Sequence, residues 1–266
     1  MTMQDTLSRS QLTVLIVALM ATGIGQSLVF AILAPLGREV GLAEVQITSI
    51  IAVSALVFAW SSPRWGRLSD RIGRKPVIIV GLVGYAVGSL LFTSVFLVGL
   101  GGALAGWALY AVALGVRCSQ SVIMAATAPS TTAYAADCTS PQRRTSTMAS
   151  LGTANSLGMI LGPAVSGALA TLGLLAPLYF AGLLTLAAAV LVWRALPALA
   201  PSALRERNPR RMRYLDPRIR RYALTAIALF TGFSAIQQTL GFQLQDKLQL
   251  DGVATAQYNG AALMVS

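Results

Sequence analysis

The sequence predicts an all-α polytopic membrane protein, and three observations carry that prediction. Of 266 residues, 55% are hydrophobic and only 11% are charged, whereas an ordinary soluble domain carries about 25% charged residues. The apolar residues gather into stretches of about 20 or more, the length a helix needs to cross a bilayer. Most connections between the stretches are very short, which makes consecutive helices antiparallel neighbours.

Seven stretches qualify as spans: 12–36, 45–62, 76–98, 103–136, 146–171, 176–196 and 222–242. An eighth begins near Val253 and is cut off at Ser266. The first is longer than a signal-peptide core, contains Gln26, and is followed by no small-x-small cleavage site, so it reads as a retained helix. The distribution of Lys and Arg sets the orientation. Arg9 precedes the first stretch; Arg64, Arg67, Arg71, Arg74 and Lys75 lie between the second and third; Arg143 and Arg144 lie between the fourth and fifth. Nine arginines from Arg194 to Arg221 lie at or between the sixth and seventh. All fall on one side if the N-terminus is cytoplasmic. The other side holds Arg38, with Glu39 and Glu44 nearby, and Lys247, with Asp246 and Asp251. The net charge of +11 is thereby accounted for as topology signal, and nucleic acid is not an expected partner.

The basic, proline-bearing segment 197–221 (Pro197, Pro201, Pro209, Pro217) divides the chain. Residues 1–196 form an expected N-terminal six-helix transmembrane bundle, 197–221 a basic cytoplasmic linker near anionic headgroups, and 222–266 the incomplete start of a second transmembrane bundle. The chain has no His, which removes imidazole metal sites, Ser-His triads and His proton relays. Cys118 and Cys138 have no metal-ligand spacing and read as small packing residues. With no buried acid pair and no phosphate loop, an enzyme is not expected, and no cofactor is implied.

Three groups of residues carry more than topology. The first is the segment 66–76, Gly-Arg-Leu-Ser-Asp-Arg-Ile-Gly-Arg-Lys-Pro, read as a loop between two helices. Pro76 suits the first turn of the following helix. Gly66 and Gly73 permit a close approach or a positive φ. Asp70, among cations, can pair with Arg74 or Arg71 or face a helix N-terminus, contacts that break and re-form cheaply at a water-facing surface. The second group is Gly158, Gly162, Pro163 and Gly167 in the fifth stretch: glycines four apart share a helix face and allow close packing, and proline bends the helix. The third is Arg117 with Gln120. Arg117 is placed deep inside a helix, where a charge costs about 2.5–3.5 kcal/mol on insertion scales and needs a partner or a water-filled cavity. Gln26 and backbone carbonyls could satisfy it. Gln26, Ser54, Asn155, Gln237 and Gln238 are candidates for lining a substrate cavity or for helix–helix hydrogen bonds, and Phe230 and Phe233 for stacking on substrate or packing.

These residues carry a resemblance. Gly66, Leu68, Asp70, Arg71, Gly73, Arg74 and Lys75 match G-x-L-x-D-R-x-G-R-K, the signature loop of the major facilitator superfamily of secondary transporters, at its expected place between the second and third helices. The resemblance implies a six-helix N-terminal bundle of the major facilitator fold plus the first one to two helices of the second bundle, with the rest of the C-terminal half missing and needed for function. It implies that the loop governs rocking of the two halves and that Asp70 and Arg74 relay to an acid at the cytoplasmic end of the fourth helix, where Asp137 stands. The run from Gly158 to Gly167 resembles the antiporter motif of drug:proton exporters in that superfamily, with Ala149 and Ser166 where the family has glycine. Arg117 to Ser121 resembles the R-x-x-Q-G segment tied to proton transfer, with Ser121 replacing the glycine. None of the nine acids falls mid-helix, so proton coupling rests on resemblance alone.

The leading expectation is a secondary transporter in a lipid bilayer, a bacterial inner membrane with the N-terminus cytoplasmic. It would export a small hydrophobic or amphipathic substrate in exchange for protons by alternating access. Uptake of a metabolite by the same fold, and a non-transporting membrane fragment, stand as the alternatives.

Overall fold

The computed structural model describes residues 7–198 and 220–248, together with Ala254 and Tyr258. Eight helices run through the described residues: α1 (Arg9–Glu39), α2 (Glu44–Ile72), α3 (Arg74–Leu100), α4 (Gly106–Met124), α5 (Thr127–Asp137), α6 (Pro141–Ala170), α7 (Ala176–Ala195) and α8 (Arg220–Leu248). Five spans are long and apolar enough to cross a membrane: α1, α2, α3, α4 with α5, and α7. α6 and α8, expected as spans from the sequence, are also long enough, at about 1.5 Å per residue, but their polar residues dilute the apolar ones. The faces turned away from the bundle are themselves apolar. Val80, Val83, Val87 and Leu91 of α3 and Leu183, Leu186 and Val190 of α7 are exposed, as lipid contact requires.

The expected fourth stretch is two helices, not one. The chain turns at Ala125 and Ala126 before α5 begins. Pro129 gives the reason: in a continuous helix it would owe a hydrogen bond to the Ala125 carbonyl that it has no N–H to make, and its ring would press on that carbonyl. Nor is the 66–76 segment the loop that the sequence suggests. α2 continues through Ile72 and α3 starts at Arg74, leaving Gly73 alone as the junction, with φ +101° and ψ 153°. A side chain there would be strained, so glycine at 73 lets two long helices meet in one residue.

α1 packs along α6 and α7, α3 along α7 and α4, and α2 on α4, while α8 lies against α1. The α1–α6 contact is backbone on backbone. A Cβ on Gly158 would stand 2.5 Å from the Met20 carbonyl oxygen and 3.2 Å from Cα of Gly23. One on Gly162 would fall on Ser27 Oγ and 2.9 Å from the Ile24 carbonyl oxygen. Ser27 Oγ in turn reaches the Gly158 carbonyl across the interface at 3.4 Å. Pro163 follows Gly162 inside α6 without ending it. This predicts a contrast within one helix. Gly162→Ala should lower stability by about 1–3 kcal/mol through overpacking. Gly152→Ala, with nothing within 4 Å of the new methyl, should be neutral or stabilising by roughly 0.5–1 kcal/mol through helix propensity. Thermal unfolding in detergent measures both.

Two large apolar clusters hold the bundle, with a small third formed by Leu28, Tyr85, Met124 and Ala181. One gathers Leu15, Ile78, Leu82, Tyr134, Cys138, Leu151 and Val192 near the Gly73 junction. The other gathers Ile32, Leu33, Ile47, Ile50, Phe92, Phe96 and Leu109 toward the opposite end. Between them lies a belt of buried polar groups, including Ser27, Ser89, Arg117, Gln120 and Ser121.

Candidate functional site

The first candidate site is built at the Gly73 junction. Arg74 occupies the first helical position of α3, where the positive end of the helix dipole disfavours a cation. It is 8% exposed nonetheless. What offsets both costs is its fork of donors: Nε donates to Asp137 Oδ2 at 3.0 Å, Nη1 to Ser69 Oγ at 2.7 Å, and Nη1 also pairs with Asp70. Ser69 is held in turn by its own bond to the Gly66 carbonyl at 2.7 Å. One guanidinium therefore ties the end of α2, the start of α3 and the end of α5. The two acids differ: the Asp137 side chain is 23% exposed and that of Asp70 45%.

The neighbours of Arg74 divide the remaining work. Lys75 Nζ donates to the Trp193 carbonyl at 2.7 Å, joining α3 to the end of α7. Arg71 is exposed and makes no ion pair among the described residues. Leu68 and Ile72, one turn apart on α2, also face outward. Gly66 departs from expectation: its φ is not positive, and a Cβ there would meet only Pro129 Cβ at 3.8 Å. At this residue the helix carries a glycine that neither crowding nor backbone conformation demands.

At the opposite end Arg38 pairs with Glu44, as its neighbourhood in sequence suggested, and with Asp246 at 2.7 Å. Asp246 therefore joins the end of α8 to the end of α1.

The second candidate site is a cavity of about 110 Å³ in the polar belt, lined by Gln26, Phe30, Ile51, Ser54, Ala55, Phe58, Arg117, Ser121 and Met124. It brings together three of the polar residues singled out in the sequence: Arg117, Gln26 and Ser54. Gln120 stands behind Arg117. Its Oε1 accepts from Arg117 Nη1, and its Nε2 donates to the Tyr85 carbonyl at 3.0 Å and Ser89 Oγ at 2.8 Å. The partner of Arg117 is thus Gln120, not Gln26. Phe92 lies under the guanidinium at 5.8 Å.

Asn155 is not among the residues lining this cavity. It sits on the α1–α6 face, where its carbonyl oxygen would be 2.6 Å from a Cβ on Gly23. The side chains of Phe230, Phe233, Gln237 and Gln238 lie outside the described residues, as do 199–219. Sequence reasoning did not single out Ser69, Tyr85 and Ser89. The spacing of Tyr85 and Ser89, four apart on one face of α3, was the available signal for the latter pair.

The sequence profile described as the Major Facilitator Superfamily matches residues 15–266. The chain belongs to the major facilitator superfamily. It is accordingly an integral membrane protein of a transporter family and not an enzyme. Multidrug resistance protein 1 of Bacillus subtilis (strain 168) is 31% identical over 180 residues, 68% of this chain and 43% of that protein. Multidrug resistance protein 2 of the same organism is 35% identical over 144 residues, 54% of this chain and 32% of that protein. The class B tetracycline resistance protein of Escherichia coli is 31% identical over 185 residues, 67% and 42% of the two chains. This superfamily member thus spans between 32% and 43% of the length of these relatives.

Two solved structures share the fold. The human organic anion transporter MFSD10 (TETRAN) aligns with TM-score 0.64 and 21% identity, covering 97% of this chain and 69% of that one. A bacterial homologue of the human lysosomal transporter Spinster, inward-facing and occupied, aligns with TM-score 0.71 and 15% identity, covering 96% and 58%.

Proposed function

We propose that residues 1–196 form the first bundle, and residues 222–266 the start of the second, of a proton-coupled exporter of small hydrophobic or amphipathic compounds. The basic segment 197–221 links them on the cytoplasmic side of a bacterial inner membrane, where the N-terminus also lies. The rest of the second bundle is needed for transport.

The observation that carries this reading is the Arg74 network. A buried guanidinium holds Asp137 firmly and Asp70 by a half-exposed pair. Surface pairs are worth only about 0–1 kcal/mol, so Asp70 can be exchanged to another partner at little cost. Exposed Leu68, Ile72 and Arg71 surround it. Such a surface suits a contact that forms in one state of a rocking transporter and breaks in the other. Export is favoured by the names of the relatives, two multidrug resistance proteins and a tetracycline resistance protein.

The test uses everted membrane vesicles carrying a full-length transporter that contains this chain, and a fluorescent lipophilic dye. An acid-inside gradient should drive dye into the vesicles, and an uncoupler should abolish the movement. Asp70→Asn should slow it by about tenfold, equivalent to roughly 1.4 kcal/mol, with insertion unchanged. Dye movement out of the vesicles under the same gradient would replace export with uptake, and movement indifferent to the gradient would end the proton-coupled reading.

A further inference from the structure

Every ion pair among the described residues lies at an end of the bundle: Arg38 with Glu44 and Asp246, and Arg74 with Asp70 and Asp137. Arg117 makes no ion pair among the described residues, and unlike the other cations it is buried far from either end. It lies in the middle of the polar belt, 4% exposed. A guanidinium has five N–H donors; the Gln120 amide oxygen accepts one of them, and the buried Tyr85 hydroxyl adjoins the same group. Its Nε is buried with no partner. A cation so placed, with no counter-charge among the described residues and only the Gln120 amide oxygen and the neighbouring Tyr85 hydroxyl to engage its donors, is expensive in a low-dielectric interior.

Arg117 also lines the cavity shared by α1, α2 and α4. The wall beside it offers the Gln26 amide, which can donate hydrogen bonds to an oxygen, while the Ser54 hydroxyl already donates to the Ile51 carbonyl at 2.9 Å; the rest is mainly apolar, including Phe30, Phe58 and Met124. The cavity is partly open, so a polar head can sit beside Arg117 while an apolar body extends along Phe30, Phe58 and Met124.

From this we infer that the Arg117 cavity is a subsite for an organic anion: a carboxylate or sulfonate head on an aromatic or aliphatic body. The inference deepens the transport reading above by naming the charge class of the substrate. An anion supplies what the guanidinium lacks, two oxygens matched to its fork. An organic cation of the same shape would bring a second positive charge beside an unneutralised one and finds no carboxylate among the described lining residues.

The experiment is equilibrium binding to the purified chain in nanodiscs of zwitterionic lipid, read by fluorine NMR line broadening, with empty nanodiscs subtracted. The probes are 4-fluorobenzoate, 4-fluorobenzyl alcohol and 4-fluorobenzylamine at neutral pH, which share a ring and differ in charge. The benzoate should bind about tenfold or more tighter than the ammonium, a gap of roughly 1.4 kcal/mol, with the alcohol between. Arg117→Gln should remove the preference and Arg117→Lys should retain part of it. Equal binding of benzoate and ammonium to the unaltered chain, or tighter binding of the ammonium, overturns the inference without recourse to any variant. So does a benzoate preference that survives Arg117→Gln. Because the readout needs no turnover, a failure of transport and a failure of anion binding are separate results.

Discussion

Arg74→Ala should reduce transport by about 100-fold in a full-length transporter containing this chain, and it should do so without expelling the protein from the membrane. The size follows from what Arg74 holds together. Its removal leaves Asp70 and Asp137 as neighbouring carboxylates with no cation between them, and frees Ser69 Oγ from its donor. The two acids contribute unequally. Breaking a buried pair costs about 3–5 kcal/mol and a surface pair about 0–1 kcal/mol. With a side chain 23% exposed, Asp137 lies between those limits, while Asp70, at 45%, lies near the lower one. Asp137→Asn should therefore lower thermal stability more than Asp70→Asn. A bias of roughly 2.7 kcal/mol on a two-state equilibrium changes the population ratio about 100-fold, which is the source of the expected transport loss. Arg74→Lys separates charge from geometry. One ammonium restores the positive charge but cannot reproduce the planar fork that reaches Asp137 through Nε and Ser69 through Nη1, so transport should stay well below that of the unaltered protein. Full activity in Arg74→Lys would reduce the junction to simple charge balance. Full activity in Arg74→Ala would remove it from the transport cycle.

The helices were legible in the sequence because apolar length is a local property, but their ends were not. The second apolar stretch ends at residue 62, yet α2 continues through Arg64, Arg67, Asp70 and Arg71 to Ile72. Charged residues end an apolar run without ending a helix once that helix has left the hydrocarbon. Pro129 was visible as well, but a proline can kink a membrane helix or break it, and only the fold decides between these. At the site, Asp70, Arg74 and Asp137 could be assembled from the resemblance, although Asp137 is 63 residues from Arg74 along the chain. Ser69 could not, since a serine beside an aspartate gives no sign that it will hold a guanidinium five residues on. Gly66 shows the limit from the other side. The motif includes it, but nothing it touches here explains why a side chain should be excluded.

Arg117→Met should make the bundle more stable and the transporter inactive. The sign is decided by two opposing terms. A cation at the centre of a span costs about 2.5–3.5 kcal/mol, and Arg117 recovers little of this, with one hydrogen bond and a partnerless Nε. Methionine keeps much of the volume and removes the charge. Against that gain, the Gln120 amide oxygen loses its donor, at about 1–2 kcal/mol for a buried acceptor left unmade. The Gln120 amide nitrogen keeps its bonds to Tyr85 and Ser89, so the rest of the belt stands. The net is a gain of about 1 kcal/mol, which corresponds to a rise in Tm of roughly 2–4 °C for a domain of this size. Transport should fall by about 100-fold, or roughly 2.7 kcal/mol of lost transition-state stabilisation. An arginine kept only to brace the bundle would give the opposite sign: lower Tm with methionine, and recovery of Tm with lysine. A buried cation whose removal strengthens the fold and stops transport must be retained for what enters the cavity beside it.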